Sequence, residues 1–130
     1  MHSYPRRIHS TMRKARKQTK ITPAERAKLN AAREFITASF ERNPSFTEVA
    51  NHVGLSPFHF HRRYSLCFGE TPKDLIDRMR IEKAKQLLLA GSGPADVAKK
   101  LGYSHQSHLT SVFARAVGTP PARWVKRRQK

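Results

Sequence analysis

Apolar residues along the chain recur every three or four positions, in segments separated by turn signals. This spacing predicts helices, and no segment combines sustained alternation with the β-branched residues and turns of a strand. Small polar residues open the segments, and most are followed by proline at the first helical position. These opening residues are Thr22, Ser45, Ser56, Thr71 and Ser104. We therefore expect an all-α fold of about seven helices, over residues 23–42, 46–53, 57–67, 72–90, 94–101, 105–117 and 120–128.

Two copies of one pattern occupy the middle and the end of the chain. Val49-Ala50, Gly54 and Ser56 recur 48 residues later as Val97-Ala98, Gly102 and Ser104. Phe60, Tyr64 and Gly69 recur 49 residues later as Leu109, Phe113 and Gly118, so the second copy has one inserted residue. Each copy contains a short helix, a turn with glycine and a second helix. This arrangement is the sequence form of a helix-turn-helix.

The second helix of each copy has an inner and an outer face. Phe60 and Tyr64 mark the inner face in the first copy, and Leu109 and Phe113 mark it in the second. The outer positions are Phe58, His61 and Arg62 in the first copy and Gln106, Ser107, Thr110 and Ser111 in the second, with His108 near the boundary. A helix fits the DNA major groove, where arginine can bind guanine and glutamine can bind adenine. An ordinary polar surface is the alternative interpretation of these faces.

The charge of the chain is strongly positive, with 26 Lys and Arg against 9 Asp and Glu and a net charge of +17. This balance indicates a polyanionic partner. Residues 1–20 hold seven of the basic residues and no acidic one, so we expect a disordered basic arm before a folded part over 21–130. The arm is either a solvated tail or a non-specific phosphate contact.

Several classes of protein do not fit the sequence. A single cysteine excludes disulfide scaffolds and cysteine-rich zinc sites, and we expect Cys67 to be a small core residue. The longest apolar run, residues 87–90, is far short of the ~20 residues of a membrane span, and no secretory signal is visible. We expect a cytoplasmic, nucleoid-associated protein. The histidines lack a third ligand or a catalytic motif nearby, so we expect no metal, no cofactor and no enzymatic activity.

The duplicated pattern resembles the DNA-binding domain of the AraC/XylS family of bacterial transcription regulators. The resemblance covers roughly residues 25–128. Its matching pieces are Val49-Ala50 with Gly54-Leu55-Ser56, Gly69-Glu70-Thr71-Pro72, Arg78-Met79-Arg80-Ile81-Glu82-Lys83-Ala84, Leu101-Gly102-Tyr103-Ser104 and Gln106-Ser107-His108-Leu109 with Gly118-Thr119-Pro120-Pro121. The resemblance implies two helix-turn-helix subdomains, about 23–71 and 93–128, joined by a rigid linker helix at about 72–90. The two units would enter successive major grooves.

The resemblance also implies which residues contact DNA. Base reading falls on Phe58, His61, Arg62, Gln106, Ser107, His108, Thr110 and Ser111. Phosphate contacts are expected from Ser56, Arg63, Lys73, Ser104, Lys126, Arg127 and Arg128. The expected partner is double-stranded DNA bound by a monomeric unit, with RNA polymerase as a second candidate partner. A general nucleic-acid binder acting through charge alone is the competing function, and it would bind all sequences nearly equally.

Overall fold

The structure, a computed structural model, describes residues 20–129. This part of the chain contains seven α-helices and no strand, which confirms the all-α prediction. The helices are α1 (Pro23–Ser39), α2 (Phe46–His52), α3 (Pro57–Phe68), α4 (Pro72–Leu89), α5 (Pro94–Lys100), α6 (Gln106–Val117) and α7 (Pro121–Arg128). The basic arm predicted for residues 1–20 lies outside the described residues, except for Lys20.

Side-chain caps start several of these helices where the sequence predicts a start. The Thr22 hydroxyl accepts the amide of Glu25 at 3.1 Å, which satisfies one of the free amides at the start of α1. At the start of α4, Thr71 and Asp74 each accept the other's backbone amide at 3.0 Å, forming a capping box. These local bonds explain why short polar residues in the sequence mark helix starts so well.

Each helix differs from its predicted bounds at one end, the first by three residues and the other six by one. The first helix ends at Ser39, and Phe40–Arg42 form a separate 3-10 turn that Asn43 closes in a left-handed conformation with φ 55°. The hydroxyl of Ser39 bonds back to the carbonyl of Phe35, and the backbone of Ser39 leaves helical geometry at φ −132°. The sixth helix is opened by His105, whose extended backbone precedes Gln106, and Ser104 does not cap it.

Two hydrophobic cores fill the described chain. The first core joins α1, α2 and α3 to the beginning of α4, and its buried residues are Leu29, Ala32, Ile36, Val49, Ala50, Phe60, Tyr64, Leu75 and Ile76. The second core joins the rest of α4 to α5, α6 and α7. Its buried residues are Ile81, Ala84, Leu88, Val97, Ala98, Leu101, Tyr103, Leu109, Phe113 and Trp124. Each helix-turn-helix therefore has a core of its own, and α4 contributes to both.

The long helix α4 uses different faces for the two cores. Leu75 and Ile76 contact the first core, and Ile81, Ala84 and Leu88 contact the second. Because an α-helix turns by about 100° per residue, these two groups lie on roughly opposite sides of α4. The helix therefore runs between the two subdomains. Within residues 20–129, none of the helices has the length and apolar character needed to cross a bilayer.

Candidate nucleic-acid interface

The inner face of α3 fixes this helix against the first core. Phe60 and Tyr64 are fully buried, and burial raises the pKa of the Tyr64 phenol to about 12. At the start of the helix, the Ser56 hydroxyl accepts the amide of His59 at 3.3 Å. Gly69 ends the helix in a left-handed conformation with φ 72°. Contacts of the inner face and of the two helix ends therefore fix the orientation of α3, and its outer-face side chains are not needed for this.

The outer face of α3 carries two of the predicted base-reading residues in exposed positions. Phe58 is 77% exposed, and Arg62 is also exposed. His61 is only half-buried, because its ring meets the edge of Phe46 at 5.6 Å between ring centroids. Phe46 is itself 43% exposed and is not among the predicted site residues. Its place as a large aromatic residue at the start of a short helix could have pointed to an exposed ring. The face is thus aromatic as well as basic.

The second helix of the other copy, α6, is built in the same way. Leu109 and Phe113 are fully buried, so the side chains on the opposite face point away from the core. The exposed residues there are Gln106, Ser107 and Ser111, and Thr110 is half-buried. His108 is exposed, but its ring contacts the edge of Tyr103 at 5.3 Å between centroids. This face therefore offers short hydrogen-bonding side chains without a charge.

Most of the predicted phosphate-contacting residues lie on the surface. Lys126, Arg127 and Arg128 form the exposed last turn of α7, where the Arg128 guanidinium lies 4.9 Å from the centre of the Trp124 ring. Lys73 is exposed as well, and its ammonium group lies 3.0 Å from the carboxylate of Asp77. Ser56 is exposed directly before α3, and Ser104 is exposed two residues before α6.

Arg63 is the exception, and the structure corrects the phosphate contact predicted for it. The residue is 6% exposed, and its Nε and Nη2 atoms each donate to the Glu25 carboxylate at 2.8 Å. Nη2 also donates to the carbonyl of Lys20 at 2.9 Å. The Arg63 guanidinium lowers the pKa of Glu25, and Glu25 in turn raises the pKa of Arg63. Arg63 thus joins α3 to the start of α1 and is turned away from solvent.

The histidines and the cysteine are also residue types that can bind metals. Within residues 20–129, no three His, Cys, Asp or Glu side chains lie close enough together to hold a metal ion. Cys67 is half-buried beside the first core, and its sulfur accepts a hydrogen bond from Arg26 at 3.5 Å.

Comparison with known proteins identifies the kind of domain. A family model described as a helix-turn-helix domain matches residues 49–127. The HTH-type regulator YbfI of Bacillus subtilis is 33% identical over 76 residues, which are 58% of this chain and 28% of YbfI. The regulatory protein PocR of Salmonella typhimurium is 28% identical over 108 residues, which are 82% of this chain and 36% of PocR. The chain thus spans about a third of the length of these relatives.

Solved structures share the fold. The C-terminal domain of AraT, a response regulator from Geobacillus stearothermophilus, matches with a TM-score of 0.73 and 24% identity over 83% of this chain and 88% of that domain. A regulator from Chromobacterium violaceum with an AraC-type DNA-binding domain matches with a TM-score of 0.70 and 22% identity, over 82% of this chain and 96% of that one. Because the matched family model covers more than half of the residues, the chain belongs to the helix-turn-helix family that the model describes, and its fold is that of the AraC-type DNA-binding domain.

Proposed function

We propose that this chain is a sequence-specific DNA-binding unit of a transcription regulator, with α3 and α6 as its two recognition helices. One observation carries the proposal. In both helices the inner face is fully buried, and the outer face exposes side chains that can contact the edges of bases. A structural neighbour, the DNA-binding domain of AdpA, was solved in complex with a target DNA, with a TM-score of 0.71 and 21% identity. That complex supports the same use of this fold here.

The side chains of the outer faces fit different base edges. Arg62 can donate two hydrogen bonds to guanine, Gln106 can pair with adenine, and Phe58 can contact the methyl group of thymine. Phe58 is 77% exposed, which favours this role, because covering a large aromatic side chain with a binding partner removes apolar surface from water and stabilises the complex. Further base contacts are proposed for His61, Ser107, His108, Thr110 and Ser111.

Phosphate contacts would supply affinity without sequence choice. The proposed contacts come from Ser56, Lys73, Ser104, Lys126, Arg127 and Arg128, and the basic residues before Lys20 would add to them. Lysine and arginine that neutralise phosphates release counterions, so affinity depends on salt. A regulator bound at a promoter also has RNA polymerase as a second proposed partner. Binding as a monomer to chromosomal DNA would place the protein at the nucleoid.

The test begins with selection of binding sites from a pool of random duplexes, followed by titration of the selected site and a scrambled one. Arg62→Ala should lose about 1–3 kcal/mol of binding free energy on the selected site and relax the choice at one base pair. Lys28→Ala is the matched control, because it removes one positive charge from an exposed position on α1. It should weaken both duplexes slightly and equally.

The competing function, general binding of nucleic acid through charge, predicts the opposite results. A general nucleic-acid binder would yield no consensus in the selection, and Arg62→Ala would weaken the selected and scrambled duplexes by the same factor. Either result would overturn sequence-specific binding by α3.

A further inference from the structure

The turns of the two helix-turn-helix units differ in what lies next to them. Gly54 and Gly102 occupy equivalent positions in the two copies, with left-handed φ angles of 74° and 76°. A Cβ atom added to Gly54 would meet nothing within 4 Å. A Cβ atom added to Gly102 would lie 2.9 Å from the carbonyl oxygen of Glu41 and 3.5 Å from the carbonyl carbon of Arg42. The 3-10 turn Phe40–Arg42 therefore lies directly against the second turn.

This 3-10 turn is attached to the first subdomain. It follows α1 without a break, and Arg42 forms an ion pair with Glu48 of α2. The Arg42 guanidinium also lies 5.6 Å from the centre of the Phe35 ring on α1. A contact between Glu41 and Gly102 is consequently a contact between the two subdomains.

A buried arginine holds the same turn from the side of α4. Arg80 is 2% exposed, and its Nε donates to the carbonyl of Leu101 at 3.0 Å. Its guanidinium lies 3.7 Å from the centre of the Tyr103 ring, a cation–π distance.

We infer that Glu41, Arg80, Leu101, Gly102 and Tyr103 form an interdomain brace that sets the separation and angle between α3 and α6. The inference rests on the proposed function, because its consequence for DNA is a preferred spacing between two half-sites. Glu41 holds the turn from the first subdomain, and Arg80 holds it from α4. A linker helix alone can bend gently along its length, whereas a backbone contact outside its axis opposes that bending. Gly102 and Arg80 are thus positioning residues for base reading by α6.

The first test measures the brace without DNA. Spin labels are placed at Leu66→Cys on α3 and Arg115→Cys on α6, both exposed positions, in a chain that carries Cys67→Ser. Gly102→Asn is compared with Gly54→Asn, because asparagine tolerates the left-handed conformation and both variants carry the same backbone strain. We expect a narrow distance distribution in the labelled parent and in Gly54→Asn, and a shifted or broadened one in Gly102→Asn.

The second test measures spacing choice on DNA. The selected site is lengthened or shortened by one base pair between its half-sites, which rotates one half by about 35° relative to the other. The parent and Gly54→Asn should prefer the original spacing by about tenfold, a factor comparable to the cost of one mismatched base pair. Gly102→Asn should lose most of that preference while it keeps its preference at the base pairs read by α3. Arg80→Lys, which keeps the charge but loses the Nε donor and the planar group, should shift both measurements in the same direction.

The outcomes separate the brace from the proposed function. Equal label distances and equal spacing ratios for Gly102→Asn and Gly54→Asn would overturn the brace, even if the parent binds its selected site well. If the parent binds all sequences equally, the proposed function fails, and the label distances alone decide on the brace. If Gly102→Asn does not fold by circular dichroism while Gly54→Asn does, the label distances of Arg80→Lys decide: unchanged distances overturn the brace.

Discussion

Replacing Arg63 with alanine should destabilise the fold and leave the phosphate contacts of the protein intact. Arg63 has an 8% exposed side chain and bonds with two atoms to Glu25, whose side chain is 15% exposed. Without the guanidinium, the Glu25 carboxylate would remain charged, poorly hydrated and short of donors. We therefore expect the damage from this substitution in folding and not in DNA affinity.

The magnitude follows from the burial of the pair. Removing one partner of a fully buried ion pair costs about 3–5 kcal/mol of unfolding free energy, because the other charge is left uncompensated. Glu25 keeps some access to water, and the Nε2 atom of His59 lies 3.5 Å from it. Partial relief by water and His59 lowers the expected cost of Arg63→Ala to about 2–3 kcal/mol. A loss of this size is a large share of the stability of an ordinary domain.

The loss should depend on pH. Arg63 lowers the pKa of Glu25 below its ordinary value of 4.5. A carboxyl group with a lowered pKa in the folded state contributes its stability above the ordinary value, and this contribution disappears as the pH falls through the folded-state value. The difference in unfolding free energy between the parent and Arg63→Ala should therefore be full at pH 7 and shrink as the pH falls below 4.5.

Urea unfolding followed by circular dichroism measures both effects. Lys73→Ala is the matched control, because it removes one partner of an ion pair whose lysine side chain is 77% exposed. That variant should cost no more than about 0.5 kcal/mol. In DNA titrations, Arg63→Ala should keep the salt slope of the parent, whereas loss of a true phosphate contact, expected for Arg127→Ala, reduces the slope by about 0.9.

Two results would refute the assignment of Arg63 to the fold. One is an unfolding free energy of Arg63→Ala within about 0.5 kcal/mol of the parent at pH 7, as for an ordinary surface substitution. The other is a reduced salt slope for the folded variant, which would show that Arg63 contacts a phosphate after all.

Three further predictions concern the arm, the footprint and the linker helix. Deletion of residues 1–20 should weaken binding to all sequences alike and flatten the salt dependence, as measured by titration of selected and random duplexes; a loss confined to the selected site would contradict this. Chemical footprinting should show an asymmetric site with two contacted major grooves about 34 Å apart, bound by a monomer, and a minimal palindrome bound only by dimers would argue against it. Met79→Pro should kink α4 at a cost of ~3 kcal/mol or more; if folded by circular dichroism, this variant should keep weak non-specific binding and lose its preference for the full site, and an undiminished preference would show that the halves read DNA independently.

Local signals account for the parts of the fold that the sequence predicted well. A polar cap and the glycine that ends a helix act over three or four residues, so Thr71 and Gly69 could be interpreted without knowledge of the rest of the chain. The spacing of apolar residues within each copy then showed which side of α3 and α6 faces the core. The exposed positions of Phe58 and Gln106 follow from helical periodicity alone.

The end of α1 was less accessible to prediction. Apolar and polar positions continue in a helical pattern through Phe40–Arg42, but the backbone changes to a 3-10 turn there. The change places Glu41 against Gly102, a contact between residues 61 positions apart. Helical periodicity describes one element at a time and contains no information about such a contact.

The helices, the two copies and the outer faces follow from the sequence alone, because each depends on neighbours a few residues away. The packing of the helices sets the different surroundings of two adjacent arginines. Arg62 and Arg63 are identical in side chain, but one is exposed and the other meets a carboxylate 38 residues away. Helix packing also places the Glu41 carbonyl of the first subdomain next to Gly102, whereas a Cβ atom at Gly54 would have no neighbour within 4 Å. These differences arise because the contacts join residues that are far apart in sequence. Such residues meet only when whole helices pack against each other in the folded chain.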